Sequence, residues 1–342
     1  MEVFFIYAGK RGSNLECAIA LHEAAGQLGL GSHLVISKDN PRAGRVKALY
    51  SETLVCDFFS VGEMLRLRKR LGGGIAFFTM ISPKMMPLFL SLSSKKAIYF
   101  HATFDYSFSR KKPGDYLMDF LHGLTIQGST LAVATQYPLA WQIRLKLGKE
   151  AEVLPHPPYS GIKKRFFTGE KEVVLPFKDY FLDFGGIDRP SKGTDVLLKA
   201  MEKGGFKVVL AGKRKGIAQR EGLMHIDRWT SDEELNWLVK NAKCVVLPYL
   251  VSSQFSGCLA LAYHFKKPVL APFSPAFEHL IDEGRTGWFF SQGDWEDLGE
   301  KMRKISEGRL TWSADAIAQK EAQMEALTKK GLERILRRAV RG

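Results

Sequence analysis

Phe184-Gly185-Gly186-Ile187-Asp188-Arg189-Pro190-Ser191-Lys192-Gly193-Thr194-Asp195 is the stretch on which the reading of the fold turns. The apolar run before it, 180–184, reads as a strand, and residues 195–202 after it read as a helix. A strand that ends in paired glycines and passes into a helix opens a βαβ unit. The alternation continues toward the C-terminus. Residues 207–211 read as a strand ending at Gly212, and 244–247 as a strand stopped by Pro248. Between them, 231–241 reads as a helix with Ser231 as N-cap and Glu234 three residues on, a capping box. A short helix over 259–265 and a strand over 268–271 follow.

The same pattern precedes the stretch. Residues 3–7, 33–37, 56–59, 75–78, 97–101 and 131–134 read as strands. Asn14 is placed to N-cap a helix reaching about 28, and 62–71 reads as a basic helix closed by Gly72-Gly73-Gly74. The cluster Pro155-His156-Pro157-Pro158-Tyr159-Ser160-Gly161 ends this first series, and Lys163-Lys164-Arg165 reads as linker. His156 reads as structural. The expected organisation is a Rossmann-like domain over 1–162, a second over 163–325, and a basic amphipathic helix over 326–342. In that tail Leu332, Ile335, Leu336 and Val340 recur at helical spacing among Arg334, Arg337, Arg338 and Arg341. The expected fold is therefore α/β, with two open parallel sheets of similar size.

A chain of 342 residues is long enough for two cores, and 45% hydrophobic with 25% charged residues is an ordinary globular mixture. The net charge of +14 calls for anionic partners. No nucleic-acid module pattern is present, which leaves phosphorylated small molecules and anionic lipid. Cys17, Cys56, Cys244 and Cys258 are scattered in apolar contexts, so neither a disulfide framework nor a zinc site is expected, and free thiols in a reducing cytosol fit. The start, Met1-Glu2-Val3-Phe4-Phe5-Ile6-Tyr7, reads as a strand and not as a signal peptide. No run approaches the ~18 apolar residues of a transmembrane helix.

Ligands of open α/β sheets bind beyond the carboxyl ends of the strands. Gly185 and Gly186 let a phosphate approach the backbone, and Arg189 and Lys192 supply positive charge for a departing nucleoside diphosphate. The competing reading is a solvated loop with two ordinary surface charges. The stretch resembles the start of the donor domain of family 4 glycosyltransferases, an apolar strand followed by Gly-Arg and then Lys-Gly before a helix. Further landmarks keep that order: Leu210-Ala211-Gly212-Lys213, then Trp229-Thr230-Ser231-Asp232-Glu233-Glu234-Leu235, then Val245-Val246-Leu247-Pro248-Tyr249. Ser253-Gln254-Phe255-Ser256-Gly257, Lys267-Pro268-Val269-Leu270-Ala271 and Glu278 with Asp282-Glu283-Gly284-Arg285-Thr286-Gly287 complete the series.

The resemblance implies the GT-B fold and a retaining transfer from a nucleotide-diphosphate sugar to a glycan or lipid-linked acceptor. It implies His101, Arg189 and Lys192 as catalytic, with Asp105 on the loop of His101. It implies donor contacts from Gly9, Gly12, Gly185, Gly186, Gly212, Lys213, Pro248, Ser253, Ser256, Gly257 and Glu278. Two departures stand out. Gly186 occupies the place of the family's arginine, and Ser253 and Leu261 those of its two glutamates. Leu261 cannot accept a hydrogen bond from a ribose. A non-catalytic relative that binds a glycan, a nucleotide or a partner is thus the alternative. No Asp-x-Asp pair or metal-spaced cluster is seen, so no cofactor or metal is expected, and no nucleic acid as partner. The basic stretches Arg66-Leu67-Arg68-Lys69-Arg70, Lys95-Lys96 and Arg110-Lys111-Lys112, with Leu65 and residues 85–90, read equally as a contact with anionic membrane or as a solvated face. The expected location is cytoplasmic, with the inner membrane face as the site of any peripheral contact.

Overall fold

The computed structural model describes residues 1–342 except 11–13, 81, 94, 101–112, 163, 168, 252–255 and 342. The chain divides into two units, Met1–Phe166 with Met324–Gly342, and Phe167–Gln323.

The first unit is built on strands β1 (Glu2–Tyr7), β2 (Gly31–Ser37), β3 (Thr53–Cys56), β4 (Ile75–Phe78), β5 (Lys95–Phe100), β6 (Leu131–Ala134) and β7 (Ala151–Val153). They form one parallel sheet in the order β3-β2-β1-β4-β5-β6-β7. Helices α1 (Asn14–Gln27), α2 (Ala43–Leu49), α3 (Val61–Leu71), α4 (Met86–Ser91), α5 (Pro113–Gly128) and α6 (Tyr137–Leu147) connect them. Because helices cover both faces, the central strands are continuously apolar. Val3 to Tyr7 are all buried, as are Ile75 to Phe78.

The second unit repeats the plan with β8 (Phe181–Phe184), β9 (Val208–Ala211), β10 (Leu223–Ile226), β11 (Cys244–Val246), β12 (Val269–Pro272) and β13 (Gly287–Phe290), ordered β10-β9-β8-β11-β12-β13. Its helices are α7 (Thr194–Gly204), α8 (Asp232–Asn241), α9 (Gly257–His264) and α10 (Trp295–Ser306). Leu197, Val208, Leu210, Val246, Leu270 and Trp288 centre its core. The expected pair of parallel α/β sheets is therefore present. In each unit the order reverses once, between β1 and β4 and between β8 and β11, and ligands of open α/β sheets generally bind at such reversals.

The capping box of α8 forms as read: Ser231 accepts from the Glu234 amide, and the Glu234 carboxylate returns to the Ser231 amide. Two readings are corrected. The strand expected over 56–59 is β3, three residues earlier. Its register with β2 runs from Leu34 opposite Thr53 to Ser37 opposite Cys56, and the buried Phe58 beyond it packs in the core without pairing. Asn14 is already helical. Residues 85–90 offer no apolar outer face, because Met85, Met86, Leu88 and Phe89 are core and only Leu90 is an exposed large residue there.

The last helix, α11 (Ala314–Arg341), joins the first unit from Met324 onward. Leu332, Ile335 and Leu336 are buried, whereas Val340 is exposed and does not belong to the apolar stripe. Arg334 and Arg338 pair with Glu152 of β7, and Lys95 donates to the Val340 carbonyl at 2.6 Å. Cys17, Cys56, Cys244 and Cys258 are free thiols. Among the described residues no helix is long and apolar enough to cross a membrane.

Candidate functional site

The reversal between β8 and β11 gathers two loops. Beyond β8 the chain turns at Gly185, whose φ of 97° is a left-handed conformation and whose amide donates to Ala211 at 3.0 Å. The turn tightens through Arg189, whose amide donates to the Gly186 carbonyl, and Pro190–Lys192 form a single 3-10 turn. Gly193, at φ 64°, then starts α7. A Cβ there would overlap the Pro248 carbonyl oxygen of the loop beyond β11. The two loops are also tied by the Leu250 amide donating to the Ser191 carbonyl at 2.9 Å.

This close approach sets Lys192 against Tyr249. The ammonium hydrogen-bonds the phenol oxygen and lies 3.6 Å from the ring centroid. The phenol is 2.7 Å from the Ser256 hydroxyl, and the Cys258 thiol donates to the Phe184 carbonyl at 3.4 Å. Burial pulls the Lys192 pKa below its ordinary value and pushes that of the Tyr249 phenol up, so the phenol stays neutral. Arg189 is exposed, with its guanidinium lying over Gly186; a Cβ on that glycine would fall 2.6 Å from Nη2. The absent side chain at Gly186 thus leaves room for the Arg189 guanidinium. The N-termini of α7 and α9 open at the same place, neither capped by its N-cap side chain, since Gly193 has none and Ser256 is turned to Tyr249. Uncapped helix N-termini and cations together suit an anion.

Beneath Lys192, Asp183 of β8 is fully buried. One carboxyl oxygen accepts from the Thr194 hydroxyl at 2.9 Å, and the other has no partner among the described residues. Burial raises its pKa to about 7, against the lowering influence of Thr194 and Lys192. The sign follows from linkage. Between the ordinary carboxyl value and 7 the folded chain binds the proton and the unfolded chain does not, so this stabilisation is complete at low pH and is lost as pH rises through 7. Asp183→Asn is expected to abolish that slope. Between pH 5.5 and 8 the parent should lose about 2 kcal/mol relative to the variant, read from denaturant melts at each pH.

The structure brings together Gly185, Gly186, Arg189, Lys192, Pro248, Ser256 and Gly257 of the residues singled out in the sequence. Gly212 ends β9 against the carbonyl of Gly185, where a Cβ would overlap it. Lys213 beside it is exposed, and Glu278, on the turn after β12, is also exposed, its amide donating to Ser274. Gly9 lies in the first unit, at the β1–β4 reversal. Its carbonyl accepts from Asn40 at 2.9 Å, and its missing side chain makes room for the Tyr7 phenol. Gly12, His101, Asp105 and Ser253 lie outside the described residues. Leu261 is buried in α9. The sequence reading missed Asp183, Tyr249 as the partner of Lys192, and Cys258. The signal for Asp183 was a lone carboxylate in the apolar strand Phe181-Leu182-Asp183-Phe184. Among the described residues no group of three or more His, Cys, Asp or Glu is placed to hold a metal ion.

Comparison with known proteins bears on this unit first. Residues 178–307 match the sequence model of the family described as glycosyl transferases group 1. A Xanthomonas campestris pv. campestris protein named GDP-mannose:glycolipid 4-beta-D-mannosyltransferase is 31% identical over 138 residues, 36% of this chain and 38% of that protein. The match thus spans well under half of that relative. Among solved structures, Anabaena Alr3699/HepE in complex with UDP-glucose superposes with a TM-score of 0.70 at 11% identity, covering 97% of this chain and 98% of that one. Sucrose-phosphate synthase from Thermosynechococcus elongatus superposes with a TM-score of 0.63 at 13% identity, covering 99% and 96%. At these identities the likeness shows the fold alone, two Rossmann-type units of the GT-B class.

Proposed function

We propose that this chain, whose residues 178–307 form a glycosyl transferases group 1 domain, is a glycosyltransferase that takes its sugar from a nucleoside-diphosphate donor held at the β8–β11 strand ends. The observation that carries the reading is the convergence of Lys192, Arg189, the bare glycines 185, 186 and 193, and two uncapped helix N-termini on one crevice. An acceptor hydroxyl attacks the anomeric carbon, the bond to the diphosphate breaks with its electron pair leaving on the diphosphate, and the hydroxyl proton passes to that departing diphosphate. Lys192 and Arg189 neutralise the charge that develops there. Tyr249 holds the Lys192 ammonium in place, and Ser256 fixes the phenol. Gly212, Lys213, Pro248, Gly257 and Glu278 complete the donor contacts. The acceptor is a glycan or a lipid-linked sugar. Retention of anomeric configuration is carried over from the family resemblance and is read from the anomer of the product by NMR.

The donor base is open, since one relative is named for GDP-mannose and a fold neighbour holds UDP-glucose. Thermal melts against a panel of nucleoside diphosphates identify it. A binder at 100 times its Kd adds about 2.7 kcal/mol of stability, and a panel in which none raises the melting point refutes the proposal. With the neutralising charge on Lys192 and Arg189, turnover of the identified donor is expected to survive EDTA unchanged. Loss of turnover restored by a divalent ion would assign the charge to a metal. A second reading, a non-catalytic nucleotide or glycan binder, draws on the buried Leu261 at the place of the family's ribose glutamate. Binding of a nucleoside diphosphate without any release from its sugar donor selects that reading.

A further inference from the structure

Asp183, fully buried in β8, takes no part in the transfer as derived. The groups around it come from several elements. Thr194 of α7 donates to one carboxyl oxygen at 2.9 Å and also reaches the Ile187 carbonyl at 3.4 Å. Lys192, from the turn beyond β8, and Arg214, from the loop beyond β9, are close enough to favour the ionised carboxyl. Tyr249, from the loop beyond β11, feels the same charge, and Cys258 of α9 reaches the adjoining Phe184 carbonyl at 3.4 Å. Leu210, the partner of Asp183 on β9, offers no charge. Both cations have other engagements. Arg214 is bound to Asp195 at 2.6 Å and donates to the Ile187 carbonyl at 3.4 Å, and the Lys192 ammonium sits on Tyr249. The second carboxyl oxygen has no hydrogen-bond partner among the described residues. A buried carboxylate with so little compensation gains or loses its proton on a small change in nearby charge.

We propose that Asp183 takes up a proton when the donor diphosphate binds at Lys192, so that the ammonium is released from the buried carboxylate to the ligand. The inference rests on the donor reading and adds to it a counter-charge that the ligand replaces. In the free chain the carboxylate and the Lys192 ammonium offset each other. A bound diphosphate brings further negative charge to the same ammonium, and two anions sharing one cation in a poorly solvated place repel. One of them must take a proton. The phosphates of a sugar nucleotide are diesters, ionised throughout the neutral range, and the Tyr249 phenol is already neutral. The carboxylate is the group that responds. Its proton comes from the buffer on binding and returns there on release. Burial already raises the Asp183 pKa to about 7, so the exchange falls in the neutral range. Because the ligand raises that value further, donor affinity is full below 7 and falls as pH rises above it.

The test is titration calorimetry of the full chain with UDP-glucose and with GDP-mannose, in buffers of different ionisation enthalpy, which counts the protons exchanged on binding. At pH 7.5 the parent is expected to take up about half a proton per sugar nucleotide bound. Its affinity should be about tenfold weaker at pH 8.5 than at pH 6. Asp183→Asn should bind as tightly as the parent at pH 6, take up no proton, and hold its affinity across that range. Thr194→Val removes the hydrogen bond that favours the ionised form, so its carboxyl starts protonated and its uptake shrinks. Should Asp183→Asn fail to fold, Thr194→Val and the infrared difference spectrum of the parent carry the test. The carbonyl stretch of a protonated carboxyl is expected to grow on binding at pH 8. Uptake that persists undiminished in Asp183→Asn assigns the proton to Lys192 and overturns the proposal. Binding without uptake in the parent overturns it and leaves the donor reading standing, whereas a chain that binds no sugar nucleotide loses both.

Discussion

Lys192→Met is expected to lower kcat for sugar transfer about 10²–10³-fold, the usual cost of removing one fixed charge-stabilising group from a transition state. The size of the effect follows from where the ammonium sits. It is partly buried, its pKa is pulled down by that burial, and it is held by the Tyr249 phenol and ring. A charge in a poorly solvated place interacts more strongly with a developing diphosphate than one in water. Lys192→Arg should recover only part of the loss, because the wider guanidinium fork cannot take the ammonium's place over the Tyr249 ring. The fold should tolerate Met, since losing the Lys192 charge raises the Asp183 pKa further and leaves that buried carboxyl neutral. Steady-state kinetics with the identified donor, alongside melting of the variant, separates the chemical effect from a folding effect.

Gly193→Ala is the second large effect, and Gly205→Ala is its control. Both glycines are left-handed, at φ 64° and φ 66°, and flank the same helix α7. An L-residue in that conformation costs roughly 1–2 kcal/mol. At Gly205 a Cβ meets open space, so that strain is the whole expected cost. At Gly193 the Cβ would overlap the Pro248 carbonyl oxygen and fall 3.0 Å from the carbonyl carbon, both backbone atoms that no rotamer change can move. The β8 and β11 loops must separate, which takes Lys192 away from Tyr249. The expected loss is about 3 kcal/mol or more in stability, with nucleoside diphosphate affinity lost as well. Gly205→Ala should leave that affinity untouched. Equal destabilisation by the two variants would refute the close approach.

The pair of α/β sheets was legible because parallel strands buried on both faces read as short apolar runs, and the runs 75–78 and 131–134 coincide with β4 and β6. Short mixed elements were not legible. β7 is Ala151-Glu152-Val153 and β10 carries His225, and both exist because a neighbouring strand already offers a free edge. β3 was misplaced for the same reason, since pairing and not apolarity sets its end at Cys56. At the site, the glycines and cations beyond β8 were legible as a phosphate-binding pattern. The partner of Lys192 was not, because Tyr249 is 57 residues away and only the β8–β11 reversal joins them. Asp183 was missed because a single carboxylate in a strand does not disclose its burial.

The most direct measurement is titration calorimetry of the parent, Lys192→Met and Arg189→Gln with the nucleoside diphosphate that raises the melting point and with the matching monophosphate. A pocket that reads the diphosphate through these two cations binds it more tightly than the monophosphate, and each variant narrows that preference while leaving the monophosphate affinity in place. A preference that is absent in the parent, or that persists undiminished in both variants, contradicts it.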